Sequence, residues 1–173
     1  MLLQPDVIAL PVFAVAMAIA AYEDFRRLVI PNLLPAILCL SWPLHFAASP
    51  TLISGSAVFG AAAAIGCALA VFLIGAALFA RGYLGGGDVK LLTAATLWAG
   101  AASTPSLLLL TGILGGALTL FLMMPLGAQL AAAGRALLSP SVTPAAADAA
   151  KSVPYGVAIA CAALIVILSP HLG

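Results

Sequence analysis

The sequence predicts an all-α polytopic membrane protein, six transmembrane helices joined by short loops in a single domain over residues 1–173. Three observations predict it. Of the 173 residues 65% are hydrophobic and 6% charged, whereas a soluble domain carries about a quarter charged residues. The mean hydropathy is +1.26. The few charges and prolines fall in clusters separating apolar runs long enough to cross a hydrocarbon core of about 30 Å.

The runs lie at about 5–22, 31–47, 52–80, 89–103, 105–131 and 153–171. The first could pass for a signal peptide, but no basic stretch precedes Val7 and Arg26 and Arg27 follow it, so it reads as a retained span. The second begins at Pro31. The third exceeds what a bilayer requires at roughly 1.5 Å per residue, so it must tilt, break or project. A turn at Ser103–Pro105 separates the fourth from the fifth. Gly60 and Gly66 in the third run, and Gly112, Gly115 and Gly116 in the fifth, suit close helix contacts, read as packing within the bundle. The Ala-rich stretch Ala131–Ala150 reads as a loop or short surface helix.

The formal net charge of +1 argues against a nucleic-acid partner; the position of the charges is more informative. Arg26, Arg27, Arg81, Lys90, Arg135 and Lys151 all sit in or beside the first, third and fifth linkers, which share one side of a six-span bundle. The positive-inside rule makes that side cytoplasmic and places both termini outside. Cys39, Cys67 and Cys161 each stand alone in apolar runs without Cys-x-x-Cys spacing, so they read as small hydrophobes. Neither a disulfide framework nor a metal site is expected.

Five acidic residues remain: Asp6, Glu23, Asp24, Asp88 and Asp148. Asp24 follows the first span and Asp88 precedes the fourth, on the same side. Either alone could be a boundary anchor. Together they have the chemistry of peptide hydrolysis, because two close carboxyls cannot both ionise cheaply: the ionised one activates water while the protonated one polarises the scissile carbonyl. His45 and His171 fall towards the opposite end and read as packing or interfacial residues. Gly85, Gly86 and Gly87 before Asp88 permit backbone angles denied to other residues and close approach of a substrate strand. Glu23 reads as a solvated neighbour, and Lys90 and the arginines as headgroup anchors. These residues leave open a protease, a proton- or cation-relaying transporter and a non-catalytic assembly subunit.

Gly85-Gly86-Gly87-Asp88-Val89-Lys90 resembles the Gly-x-Gly-Asp-x-Lys motif of type IV prepilin peptidases. Asp24 followed by Ile30-Pro31-Asn32 resembles their first aspartate segment, and Val153-Pro154-Tyr155-Gly156-Val157-Ala158 is similar to their Pro-Tyr-Gly-x-Ala stretch. The resemblance implies an aspartic endopeptidase of the bacterial inner membrane. It would use Asp24 and Asp88 as catalytic residues and Gly85–Gly87 as the active-site loop, cutting the basic leader of a prepilin at the cytoplasmic face, ahead of its hydrophobic segment. Larger members carry a domain with paired Cys-x-x-Cys motifs between the first two spans and also N-methylate. That linker is a few residues here, which resembles the short Flp/Tad branch and implies no methyl donor and no other cofactor.

Overall fold

The structure, a computed structural model, describes residues 6–48, 57–138 and 153–169, and their regular structure is helical. The helices are α1 (Asp6–Arg27), α2 (Leu33–Ala48), α3 (Ala57–Ala80), α4 (Gly86–Met123), α5 (Pro125–Leu138) and α6 (Tyr155–Leu168). Of these α1, α3 and α4 are long and apolar enough to cross a membrane, while α2 and α6 are apolar but shorter. Asp148, Lys151 and His171 lie outside the described residues.

A straight helix of 38 residues would measure about 57 Å, nearly twice the hydrocarbon thickness. α4 is interrupted at Gly100, where φ is 69° and ψ is 174°, a conformation essentially reserved for glycine. Its consequence shows in what the two halves touch. Gly87 packs on Ile30, Gly115 packs on the ring of Tyr155, and Gly156, beside Tyr155, also packs on Ile30. In a straight helix Gly87 and Gly115 would stand about 42 Å apart. They lie at the same end of the bundle, so α4 folds back at Gly100 into two antiparallel arms. The turn is thus not at Ser103–Pro105, as the sequence suggests. Reversal needs a φ that Gly100 alone supplies here, and Pro105 is accommodated inside the second arm, near its start, where a missing N–H disturbs least.

The fifth apolar run is also divided. Met124 is extended, with φ −75° and ψ 140°, as steric conflict with a following proline favours. Pro125 then opens α5, its fixed φ suited to a first helical position. The stretch read as one span is therefore the second arm of α4 plus the start of a separate helix. α5 returns to the end of α1, where Gly134 and Arg135 meet Phe25.

Burial follows from this layout. Phe13 and Met17 of α1, Leu38 of α2, Leu91 and Leu107 of α4, and Ile159 and Ala163 of α6 are fully enclosed. α6 packs between α1 and α4, and the small side chains Ala158, Ala160, Ala162 and Ala163 permit that approach. Trp98 ties three helices together at the far end: its indole N–H donates to Leu38 O at 2.8 Å, and its ring meets Phe13 at 4.7 Å. His45 stacks on the same indole at 4.6 Å, a packing residue as expected. A cavity of about 350 Å³ opens beside them, lined by Trp42, His45, Ala64, Trp98 and Gly100. Val58, Phe59, Leu69, Leu73, Ile74 and Phe79 of α3 face outward, as in a helix whose solvent is lipid.

The glycines divide differently from the sequence reading. Gly66, Gly112 and Gly116 have open space where a Cβ would lie, so they make no close contact within the bundle, whereas Gly115 does. Gly100→Ala is expected to strain the reversal by about 1–2 kcal/mol, lowering the thermal midpoint of the detergent-solubilised protein by roughly 5 °C. Gly112→Ala should leave that midpoint unchanged. Equal midpoints for the two variants would contradict a reversal at Gly100.

Candidate active site

Glu23 and Asp24 are consecutive on α1 and so point about 100° apart. Glu23 turns outward and pairs with Arg27 one turn on, 3.3 Å away. Asp24 turns inward and is only 5% exposed. A carboxylate so placed must find donors. It finds them at the start of α6, where Pro154 is the N-cap and no side chain caps the helix locally. The Gly156 N–H donates to Asp24 Oδ2 at 2.7 Å, with the Val157 amide alongside. These are the second and third residues of α6, whose amides an N-cap side chain ordinarily satisfies. Asp24 thus caps α6 from a different helix, with its charge at the positive end of the helix dipole.

Gly156 is required there for space. A Cβ at this position would lie 2.9 Å from Asp24 Oδ2 and 2.7 Å from Ile30 Cδ1. In the Pro-Tyr-Gly sequence, then, Pro154 starts the helix, Tyr155 packs on Gly115, and Gly156 admits the carboxylate.

α1 ends because Leu28 adopts φ 55°, left-handed backbone uncommon for a side-chain-bearing residue. Its N–H still closes on Asp24 O at 2.9 Å. The chain then turns so that Ile30 is buried, 8% exposed, between the starts of α4 and α6.

At the second aspartate, Gly85 is the N-cap of α4 and Asp88 its third helical residue. The Asp88 carboxylate accepts from the Gly85 backbone N–H, as an acidic third residue does in a capping box. The sequence suggests that the three glycines serve unusual backbone angles and the close approach of a substrate strand. None of them has a positive φ; Gly82 and Gly100 are the glycines that do among the described residues. Each instead serves a close approach: a Cβ on Gly85 would meet Asp88 Oδ2 at 2.7 Å, on Gly86 the Phe79 ring at 3.3 Å, and on Gly87 Ile30 Cβ at 3.1 Å.

The three segments therefore meet around Ile30, and Asp24 and Asp88 lie within range of each other's charge. The Lys90 ammonium donates to Asn32 Oδ1 at 2.8 Å, joining the Asp88 arm to the turn after Ile30. The sequence alone suggests a headgroup anchor for Lys90, because its partner lies 58 positions away. Arg135 was likewise taken for an anchor. Its Nε donates to Phe25 O at 3.1 Å and its guanidinium lies 5.7 Å from the centre of the Phe25 ring. Arg26, Arg27, Arg81, Lys90 and Arg135 all collect at this end of the bundle, while Trp98, ten residues beyond Asp88 on α4, stands about 15 Å away. Among the described residues no three His, Cys, Asp or Glu side chains gather in one place. Chemically the site offers two carboxyls from different helices, one held by helix amides and one by its own N-cap.

Compared with models of known families, residues 11–120 match that of the type IV leader peptidase family. The match encloses Asp24, Ile30-Pro31-Asn32 and the Gly85–Lys90 segment and ends before α5. No curated protein and no solved structure matches the chain.

Gly156→Ala should destabilise by about 1–3 kcal/mol, because Ile30 and Asp24 must both yield. Ile30→Ala in the same chain should cost less than the sum of the two single changes, since they share one contact. Strictly additive midpoints in thermal unfolding would show that Ile30 and Gly156 do not meet.

Proposed function

The chain belongs to the type IV leader peptidase family, and on that premise we propose that it is an intramembrane aspartic endopeptidase. Asp24 and Asp88 together hydrolyse one peptide bond of a prepilin. The observation that carries the reading is that two carboxyls, one from α1 and one from α4, come within range of each other's charge at the end of the bundle where Ile30 packs against Gly87 and Gly156.

The reaction follows from that pairing. Two neighbouring carboxyls hold one proton between them. The ionised member takes a proton from a water, whose oxygen attacks the scissile carbonyl carbon. The protonated member hydrogen-bonds to the carbonyl oxygen as it becomes an oxyanion. Collapse of the tetrahedral intermediate breaks the C–N bond, and the departing amine receives the proton the first carboxylate took. Gly85, Gly86 and Gly87, expected as an active-site loop, open α4 instead; lacking side chains, they let Asp88, Phe79 and Ile30 close up around the site.

The membrane arrangement consistent with this chemistry has six crossings: α1, α2, α3, the two arms of α4, and α6. The basic residues gathered at the aspartate end support placing that end at the cytoplasmic face of the bacterial inner membrane, with both termini outside. α5 then lies along the cytoplasmic surface. The short connection between α1 and α2 favours a Flp-type prepilin as substrate, cut between its basic leader and its hydrophobic segment, without a methyl donor.

The decisive assay is co-expression with a Flp-type prepilin, following the mobility and new N-terminus of the pilin. Wild type should remove the leader. Asp24→Asn and Asp88→Asn should each reduce cleavage by about a thousandfold or more while accumulating normally in the membrane. Normal processing by both variants would eliminate the two-aspartate mechanism and leave a transporter or assembly subunit.

A further inference from the structure

The last carbonyls of a helix have no partner within it. At the end of α1 this matters, because Asp24 lies in the final turn. Asp24 O is satisfied by the Leu28 N–H at 2.9 Å. Leu28, however, has left the helix with φ 55°, so residue 29 is carried away from the position in which its N–H would reach Phe25 O. That carbonyl, next in sequence to Asp24, is instead taken by Arg135 Nε at 3.1 Å, from a helix 110 residues further along the chain.

The contact is more than a single hydrogen bond. The Arg135 guanidinium lies 5.7 Å from the centre of the Phe25 ring, a favourable cation–π arrangement. Gly134 lets the two helices close, since a Cβ there would stand 3.2 Å from Phe25 Cζ. A cation at a helix C-terminus also opposes the negative end of the helix dipole. The same guanidinium is within electrostatic reach of the Asp24 carboxylate. The groups gathered about Asp24 are thus the α6 amides of Gly156 and Val157, Asp88 from α4 and Arg135 from α5; on α1 itself the neighbouring Glu23 is turned away onto Arg27.

We propose that α5 is a strap across the end of α1, and that Arg135 is the positioning residue that fixes the last turn of α1 and thereby the Asp24 carboxylate. This rests on the peptidase reading for its catalytic consequence, but not for its structural one. Arg135 lies beyond the residues that match the family, and it acts on the site through Phe25, the residue after Asp24. Its action is on how Asp24 is held, so it governs the rate of the chemical step and leaves substrate binding alone.

The test uses the purified full-length protein in detergent, with a full-length Flp-type prepilin as probe. Arg135→Met keeps an unbranched apolar stem over Phe25 but removes the donor and the charge; Arg135→Lys keeps both in a different shape. The Met variant should show kcat about tenfold lower at unchanged KM and faster amide hydrogen exchange in the peptide spanning residues 24–30. The Lys variant should recover most of both. An Arg135→Met protein that cleaves and exchanges like wild type would overturn the proposal, as would a Lys variant no better than Met, which would leave only ring packing. Failure of wild type itself to cleave would count against the peptidase reading. The exchange comparison would still decide whether Arg135 holds α1.

Discussion

The hydrogen bond from the Gly156 N–H to the Asp24 carboxylate is the constraint on which most of the rest depends. A carboxylate buried in so apolar a bundle is tolerable only where polar partners are fixed around it, and the uncapped first turn of α6 provides them. To place that turn against α1, residue 156 must be glycine, Tyr155 must lie on Gly115, and Ile30 must fill the space between Gly156 and Gly87. Leu28 accepts a left-handed backbone so that Ile30 can turn inward. A local electrostatic requirement thereby fixes the relative positions of α1, α4 and α6 at one end of the molecule.

The other end is held differently. There Trp98 spans α1, α2 and α4 through ring contacts and one indole hydrogen bond, and Gly100 turns α4 back. Apolar packing anchors one end while polar contacts position the other, about 15 Å away along α4. The arrangement separates stability from chemistry: the Trp98 end can hold the arms of α4 together without any group that the reaction uses.

Much of this was legible in the sequence, for reasons that mark the limits of such reading. Composition gave the membrane class because lipid demands long apolar runs, and the scarcity of acids made Asp24 and Asp88 conspicuous. Their opposite-helix origin and shared end followed from counting spans. The reversal of α4 was misplaced because Ser103-Thr104-Pro105 is a stronger turn signal than an isolated glycine, yet the φ of 69° at Gly100 is what the chain needs. The separation of α5 was missed because the run continues apolar through Leu126 and Leu130, and only the steric preference of Met124 before Pro125 marks the break. Lys90 and Arg135 were read as anchors because their partners, Asn32 and Phe25, are distant in sequence. For the glycines before Asp88 the sequence suggests both unusual angles and close approach of a substrate strand; none has a positive φ, and the groups that approach closely are Asp88, Phe79 and Ile30.

The central claim is that Asp24 and Asp88 face one shared site. Its most direct test is a short thiol-specific cross-link between cysteines introduced at 24 and 88, in native membranes, with Cys39, Cys67 and Cys161 replaced by alanine. A 32–90 pair is the positive control, because the side chains at those positions are hydrogen-bonded. Rapid linkage of both pairs, with none between 24 and 98, is the predicted result. Linkage of 32 to 90 without linkage of 24 to 88 would place the two carboxyls in separate sites and contradict the account.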